Sequence, residues 1–565
     1  MVKLCDIVLL VVLRRGRMRP KGGTMKKARS RFSKGLVAGA LALSFGLFAA
    51  ACSDDSSSGT STTASESTET TAPVEETPQM GGTLNVGLES AISTLDPIAA
   101  LAQPADHDVA LTIYDKLVSF DDEGNFAPYL AKSVTASDDL MTWTVVLNEG
   151  VTFHDGTPLN ADAIVAHWAR MIDPASKSNW VKTATDHGLP VAQDDLTVVW
   201  TMAKPYIAFI NDIAGTMGYI PSPTAVAADG ANFGLNPVGS GPFMVETFEA
   251  GGRVVVKKNP NYWKTDDAGN TLPYLDGINF LPIPDSAERL QALSAGDIDL
   301  MQTADTSTVV AAEEKNFAVQ KVSGSSSTVI FFNTKAEPTN DVRVRQALAY
   351  ATNRQEMNDV GYKSARQISL SAFAPSSPYF NPDAQQPAYD PAKAKALLEE
   401  YGKPVNIVLE CISTPEADLL LQVVKENWEA VGVTVTLKTQ EQGAYVARMF
   451  SKKGDYQAAC FRTGQFIEPD QWRSTVGTDE GSNLTFYSNA EVDALLAEGA
   501  STADFETRKA AYFAAAKIVA EEVPAVTTLY DLFGNIYNGD KVAGLPTPEG
   551  NALGAIKLAY VFIKS

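Results

Sequence analysis

Residues 153–163 read FHDGTPLNADA, and this stretch does most to decide the fold. His154 and Asp155 are the residue types of a general acid and base, but neighbouring residues on a strand point to opposite faces. A His-Asp-Gly sequence is more typical of a turn, because Asp and Gly both favour turn backbone. We therefore interpret residues 153–163 as structural rather than catalytic.

Strands and helices alternate on both sides of this stretch. Alternating or β-branched runs predict strands at 83–88 (after the pair Gly81-Gly82), 142–147, 254–258, 329–332, 405–410 and 433–437. Capping residues predict helices that begin after Asp341, at Asp390-Pro391 and after Asn489, the second ending at Gly402 and the third at Gly499. This alternation predicts an α/β fold. A chain of 565 residues is long enough for two or three domains.

The motifs of common enzymes are missing from the sequence. There is no His-Glu-x-x-His, Cys-x-x-Cys, Gly-x-Ser-x-Gly or Gly-x-x-x-x-Gly-Lys-Ser/Thr, and there are only four histidines, His107, His154, His167 and His187. Gly239-Ser240-Gly241-Pro242 could cradle a phosphate, but two glycines before a proline more often mark a tight turn or a domain crossover. We expect no catalytic activity, no metal site and no cofactor.

The N-terminal region predicts export and lipid attachment. We take Met25 as the true start of the protein. A basic segment follows it and precedes the uncharged apolar run 35–51, so residues 1–51 are predicted to form a signal region. Ala49-Ala50-Ala51-Cys52 resembles a bacterial lipobox, in which the cysteine carries the lipid; an ordinary signal peptide with an incidental Cys52 is the alternative. Residues 52–80, rich in Ser, Thr, Glu and Pro, predict a disordered linker.

The charge of the chain argues against nucleic-acid partners. The formal net charge is −21, and the first 51 residues carry eleven Lys and Arg but one acid, so without them it is −31. A surface that acidic repels nucleic acid and anionic lipid. We therefore expect any membrane attachment to be covalent.

Cys411 and Cys460 each end a strand-like run. In an exported protein such a pair forms either a disulfide or two buried thiols. The sequence leaves both possibilities open.

Several blocks in order resemble the family 5 extracellular solute-binding proteins of ABC importers, the peptide, dipeptide and nickel-binding group. The resemblance runs from about residue 81 to the C-terminus. The blocks are YDKLV (114–118), PYLA (128–131), FHDGTPLNADA (153–163), PVGSGPF (237–243), KNPNYW (258–263), AGDIDL (295–300), FNT (332–334) and DVRVRQAL (341–348).

The resemblance implies a two-lobed, periplasmic-binding-protein-like clamp with an extra inserted domain. Lobe I would comprise residues 81–118, 236–325 and 528–565, the inserted domain 119–235, and lobe II 326–527. Such a protein captures a small solute outside the cell by lobe closure and delivers it to an ABC permease and its ATPase. We expect a monomer, held at the outer face of the membrane by lipid on Cys52.

The resemblance also suggests ligand-binding residues. Peptide binders of the family commonly hold the ligand's amino group with an aspartate, and Gln465 stands at that position here. Without a carboxylate a buried ammonium lacks an opposite charge, so Arg462 could instead favour a carboxylate. Phe466 and Trp472 are candidate stacking walls, with core packing as the alternative. Phe332 and Asn333 are further candidates.

Two other classes of function remain. The closed form could report to a membrane signalling protein, which would make the chain a ligand-sensing receptor, or the chain could be an exported hydrolase. The sequence leaves the ligand open among oligopeptides, sugars, amino-acid conjugates and metal chelates.

Overall fold

A computed structural model describes residues 77–99, 104–121, 125–375, 377–451, 453–464, 468–546 and 556–564. These residues belong to one compact unit, which begins at Val74. Within these ranges no helix combines the length and apolar character needed to cross a bilayer.

The strands and helices alternate along the chain. The strands are β1 (Thr83–Leu88), β2 (Val118–Phe120), β3 (Phe126–Pro128), β4 (Ala131–Ala136), β5 (Thr142–Leu147), β6 (Val191–Ala192), β7 (Thr197–Thr201), β8 (Phe243–Phe248), β9 (Val254–Lys258), β10 (Gly277–Pro282), β11 (Leu300–Thr303), β12 (Ala318–Phe332), β13 (Asn406–Ile412), β14 (Thr434–Gln440), β15 (Ala458–Gly464), β16 (Ala525–Tyr537), β17 (Val542–Ala543) and β18 (Phe562–Ile563). The helices are α1 (Pro104–Ile113), α2 (Ala161–Ile172), α3 (Val181–His187), α4 (Phe209–Ala214), α5 (Pro223–Asp229), α6 (Ser286–Ala295), α7 (Thr306–Glu314), α8 (Val342–Ala351), α9 (Arg354–Tyr362), α10 (Pro391–Tyr401), α11 (Pro415–Ala430), α12 (Gln442–Phe450), α13 (Arg473–Val476), α14 (Ala490–Ala500) and α15 (Phe505–Glu522).

Among the described residues, ten strands form one sheet in the order β14-β13-β15-β12-β16-β11-β1-β10-β9-β8. We call the half built on β1 and β8 to β11 lobe I, and the half built on β13 to β15 lobe II. Each half has its own buried core, one around Leu84, Ile278 and Phe280 and the other around Leu409 and Trp428. The fold is thus a two-lobed α/β clamp, as the sequence predicted.

Two long strands, β12 and β16, run antiparallel through both lobes. Their ladder pairs Ala318–Ser323 with Tyr537–Leu532 on the lobe I side and resumes at Ser327 opposite Tyr530 on the lobe II side. Residues 324–326 therefore lie opposite the single residue Asp531. A bulge of this kind interrupts the hydrogen-bonded ladder and bends the strands. We call this place the strand crossing.

An inserted domain follows β1 and α1. Its sheet has the order β4-β5-β7-β6, and α2 and α4 pack against it. Large aromatic side chains fill its core: Trp168 and Trp200 lie edge to face at 5.1 Å between centroids, and Phe209 contacts both Trp200 and Trp143. The exact domain boundaries stay a prediction.

A buried hydrogen-bond cluster centred on Asp115 of lobe I reaches the inserted domain through Tyr262 and Tyr129. The Asp115 carboxylate accepts hydrogen bonds from Ser240 Oγ (3.1 Å), Tyr262 Oη (3.0 Å) and Trp263 Nε1 (2.9 Å). The Tyr262 hydroxyl also lies 2.9 Å from that of Tyr129 in the inserted domain. Three blocks that are far apart in the sequence thus meet at one carboxylate.

The glycines of residues 239–241 serve packing. A Cβ on Gly239 would lie 2.2 Å from the Ile113 carbonyl oxygen, and Gly241 donates its backbone N–H to that same oxygen at 2.9 Å. His154 contacts the Gly241 carbonyl through Nε2 at 3.0 Å, and Asp155 accepts a hydrogen bond from Ser222 Oγ at 2.5 Å. The contacts of both motifs are those of turns and packing.

Most predicted elements are present in the structure. The strands predicted at 405–410 and 433–437 begin one residue later and end two or three residues later than predicted, and there are two further differences. The run at 329–332 is only the end of the fifteen-residue β12. Gly499 does not end its helix, because α14 continues to Ala500. A Cβ on Gly499 would lie 2.6 Å from the Tyr512 ring, so this glycine permits close contact between α14 and α15.

Candidate functional site

The strand crossing carries a cluster of three charged side chains. Asp531 is fully buried; its Oδ1 accepts from Arg366 Nη1 at 3.0 Å, and its Oδ2 pairs with Arg462 Nε at 2.8 Å. Ser326, in the bulge opposite, donates its hydroxyl to the same carboxylate. One carboxylate thus holds two guanidinium groups where the lobes join.

Arg366 and Arg462 differ in their access to solvent. The Arg366 side chain is 1% exposed, whereas that of Arg462 is 55% exposed. Arg462 comes from β15, where it pairs with Thr328 of β12 beside the bulge. The exposed guanidinium of Arg462, held by the buried carboxylate of Asp531, therefore places a positive charge at the surface near the strand crossing.

Further charged groups lie near Arg462 on the lobe I side. Glu89 follows β1 directly; burial raises its pKa, while the charges of Arg289 and Arg462 act in the opposite direction. Burial, with a smaller contribution from the charge of Glu89, raises the pKa of Asp108 to about 8, so its carboxyl is mainly protonated at neutral pH. The charge of Arg462, a side chain of lobe II, therefore reaches Glu89 of lobe I.

Trp472 lies apart from Arg462. It is 3% exposed and meets the Phe373 ring edge to face at 5.4 Å between centroids. It lines a cavity of about 70 Å³ together with Ser327 and Thr463, among others. Since Arg462 and Thr463 are neighbours on a strand, they face opposite sides of the sheet. The contacts of Trp472 are those of the core-packing alternative.

Phe332 and Asn333 are buried inside lobe II. Phe332 has no exposed surface and packs against Trp428. Asn333 is 2% exposed and donates through Nδ2 to the carbonyls of Gly454 (3.0 Å) and Tyr456 (2.9 Å). The polar atoms of Asn333 are thus engaged within the lobe.

The remaining predicted site residues fall outside the described ranges. Gln465 and Phe466 belong to the gap between residues 464 and 468, and Cys52 precedes residue 77. Gly464 ends β15 two residues after Arg462, so Gln465 is a near neighbour of Arg462 in sequence. Their roles stay predictions.

Cys411 and Cys460 come together on neighbouring parallel strands. The register pairs Glu410 with Ala459, which places the two cysteines side by side. Their Cα atoms lie 5.0 Å apart and the structure joins their sulfur atoms. This separation is within the usual range for a disulfide.

A groove of about 520 Å³ separates the inserted domain from lobe II. The inserted domain contributes Lys182 and Tyr206 to its lining, and lobe II contributes Asp470 and Arg473. Burial and the charge of Asp212 raise the pKa of Tyr206, and the negative charge of Asp470 across the groove adds to this effect. Within the described ranges, no group of three His, Cys, Asp or Glu side chains is arranged to hold a metal ion.

Comparison with known proteins identifies the family. Residues 125–483 match the model of the bacterial extracellular solute-binding proteins, family 5 Middle. The chain belongs to this family. It is 30% identical over 459 residues to the glutathione-binding protein GsiB of Shigella flexneri, and this alignment covers 78% of the chain and 87% of GsiB. The resemblance predicted from the sequence blocks is thereby confirmed.

Solved family 5 structures show the same fold. The substrate-binding protein CtaP from Listeria monocytogenes superposes with a TM-score of 0.76 at 24% identity, over 86% of this chain and all of CtaP. The oligopeptide-binding protein AppA from Bacillus subtilis, solved with a nonapeptide, gives a TM-score of 0.72 at 22% identity, over the same shares. These two likenesses show that the chain shares the fold of solved substrate-binding and oligopeptide-binding proteins.

The sequence predicted Arg462 as a candidate ligand-binding residue, but it did not predict the contacts of Arg462 with its neighbours. Asp531 carried a usable signal, because it is the single charged residue in the thirteen-residue strand AVTTLYDLFGNIY, and acids are rarely buried unless they are paired. Arg366 had no such signal, since it lies in a loop after α9 and meets Asp531 only through the tertiary fold. Glu89 marks the end of β1 but has no motif around it.

Proposed function

We propose that this protein captures a small carboxylate-bearing solute of peptide-like size between its two lobes and delivers it to an ABC permease. The observation that carries the proposal is the half-exposed guanidinium of Arg462, anchored on buried Asp531 at the strand crossing. A ligand held there contacts the place where the lobes bend. Closure follows when the closed state binds the ligand more tightly than the open state does.

The charges around Arg462 favour an anionic group on the ligand. With Glu89 and Arg289 of lobe I included, the region holds two carboxyl groups and three guanidinium groups, so these side chains together are net positive. A carboxylate accepts two parallel hydrogen bonds from a guanidinium, which makes it the matching ligand group. The relative GsiB is named for binding glutathione, and glutathione carries carboxylates on a peptide framework.

The delivery route rests on family membership and on the N-terminal sequence. Lipid on Cys52, followed by the linker to residue 80, would tether the protein to the outer face of the membrane. Cys52→Ser should release the protein from the membrane fraction and abolish incorporation of labelled palmitate. Retention of label in that variant would contradict the anchor while leaving solute binding untouched.

Binding is tested directly by calorimetry and thermal unfolding of the purified chain. The ligands are glutathione, trialanine and other short peptides, acidic amino-acid conjugates, and neutral sugars. A ligand at 100 times its Kd adds about 2.7 kcal/mol to the free energy of unfolding. We expect this stabilisation from carboxylate-bearing solutes; stabilisation by neutral sugars alone would refute the proposed ligand class.

Arg462→Gln tests the binding residue. Truncating one partner of a charge-assisted contact costs about 2 kcal/mol or more, so the Kd should rise at least about thirtyfold. Arg343→Gln is the matched control, because Arg343 pairs with Asp341 (2.7 Å) at a surface outside the charged cluster. Equal affinities of Arg462→Gln and the wild type would remove Arg462 from the site.

A further inference from the structure

The carboxylate of Asp531 is shared unequally between its two arginines. Arg366 is enclosed: besides Asp531 it donates to Thr306 Oγ1 (2.9 Å) and the Ala304 carbonyl (3.3 Å), and its guanidinium lies 3.6 Å from the centre of the Tyr362 ring. Arg462 meets Asp531 through Nε at 2.8 Å. Arg366 is therefore the permanent counter-ion of Asp531.

This arrangement leaves the charge of Arg462 available. A buried carboxylate alone with Arg462 would compete with any anion for the same guanidinium. Because Arg366 already balances the charge of Asp531, the contact at Nε fixes the direction of the Arg462 side chain without cancelling its charge. The terminal nitrogens, Nη1 and Nη2, are on the far side of the guanidinium from Nε.

We infer that Asp531 is a positioning residue that sets specificity for a carboxylate by holding the Arg462 guanidinium in place between the lobes. This inference rests on the proposed function, namely that Arg462 meets the ligand. A long side chain held in its binding orientation loses less conformational freedom when the ligand arrives. Fixing Nε also fixes the plane of the guanidinium, and a planar carboxylate matches that plane.

The location of Asp531 also links binding to lobe closure. Asp531 lies opposite the bulge in β12, Arg462 belongs to lobe II, and Arg366 reaches Ala304 and Thr306 of lobe I. A ligand bound by Arg462 is therefore linked through Asp531 to the strand crossing, where the two lobes join. Asp531 thus contacts Arg462 of lobe II directly and is linked to Ala304 and Thr306 of lobe I through Arg366.

Asp531→Asn is the variant of choice. Its Oδ1 can still accept from Arg366, and the hydroxyl of Ser326 can rotate to accept from the new amide group. The amide hydrogens would face the Nε–H of Arg462, so this hydrogen bond is lost, together with the negative charge that balances Arg366. Asp455→Asn is the matched control, because Asp455 pairs with Arg448 at 2.8 Å on a part of lobe II away from the crossing.

The assay compares ligands with and without the carboxylate. Calorimetry measures glutathione against its diethyl ester, and trialanine against trialanine amide, on the wild type and both variants. We expect Asp531→Asn to weaken binding of the free acids about tenfold, equivalent to about 1.4 kcal/mol, and to change binding of the ester and amide less than about twofold. Asp455→Asn should change neither.

Combination with Arg462→Gln separates positioning from a structural role. If Asp531 acts through Arg462, Asp531→Asn should have no further effect on affinity once Arg462 is glutamine. Equal weakening of acids and blocked ligands, or additive losses in the double variant, would overturn the inference while leaving the proposed function in place. Tighter binding of the free acids would also overturn it, since Asp531 would then be a competitor.

A measurement without ligand completes the test. A crystal structure of Asp531→Asn should show the Arg462 guanidinium displaced while Arg366 keeps its contacts. An unmoved Arg462 would overturn the inference whatever ligand binds. Wild-type protein that binds none of the carboxylate-bearing probes would instead overturn the proposed ligand class, and the inference with it.

Discussion

Asp115→Asn should stabilise the protein relative to the wild type, and this gain in the free energy of unfolding should be larger at neutral pH than at acid pH. Burial raises the pKa of Asp115 from 3.8 to about 6, against the opposing effect of the hydrogen bonds from Trp263, Tyr262 and Ser240. The ionised carboxylate is thus costly to bury even with three donors. Asparagine keeps the shape and carries no charge.

The magnitude and the sign follow from linkage. Between about pH 4 and pH 6 the folded protein keeps a proton on Asp115 that the unfolded chain has lost, so the free energy of unfolding falls as the pH rises. Above pH 6 both states are ionised and the effect is constant. Each pKa unit corresponds to about 1.4 kcal/mol, so the whole shift is worth about 3 kcal/mol, and Asp115→Asn should gain about 2.5 kcal/mol of this over the wild type between pH 4 and pH 7.

Urea unfolding followed by tryptophan fluorescence at pH 4 and pH 7 measures this difference. The acceptor sites suit asparagine, because its oxygen can accept from Ser240 and Trp263 while the Tyr262 hydroxyl turns its proton toward Tyr129. Asp139→Asn is a control of opposite sign: the Ser137 hydroxyl and the Met141 N–H lower the pKa of this exposed carboxyl, so its contribution is lost as the pH falls. Parallel pH profiles for wild type and Asp115→Asn would refute the reasoning.

The remaining predictions concern stability away from the cleft. Arg508→Met should lower the free energy of unfolding by about 3–5 kcal/mol, because it leaves the carboxylate of Glu468 buried without its partner. Lys182→Ala removes an ion pair whose two side chains are largely exposed, so it should change the free energy of unfolding by less than about 1 kcal/mol. Thermal unfolding compares the two variants. Replacing Cys411 and Cys460 together by serine should cost about 4 kcal/mol if they form a disulfide, since the bond closes a loop of 49 residues. Mass measurement of the untreated protein after alkylation checks the bond itself, and two alkylated thiols would rule it out.

The sequence predicted local structure well because caps and alternation are local signals. Asp341, Asp390 and Asn489 each cap the helix that they were expected to begin, and the strands at 142–147 and 254–258 have the predicted bounds. Each of these assignments depends on residues within one turn or one strand of the boundary. Family resemblance then supplied the arrangement of the lobes.

The candidate site was only partly predictable because its contacts are long-range. Arg462 and Asp531 are 69 positions apart, and Arg366 is farther still from Asp531. The length of β12 was missed for a related reason. The first ten of its fifteen residues read AVQKVSGSSS, a polar and glycine-containing run that becomes a strand only through pairing with β16. Side chains that meet through the tertiary fold leave no pattern in a single sequence.

The groove between the inserted domain and lobe II offers positions for labels that report on ligand binding. One wall belongs to lobe II, and the other belongs to the inserted domain, which contacts lobe I through the hydroxyls of Tyr129 and Tyr262. Any bend at the crossing must then widen or narrow the gap between Lys182 and Ala497, which line opposite walls. Fluorophores attached at these two positions would convert ligand occupancy into an energy-transfer signal, and the chain would become a reporter of solute concentration outside the cell.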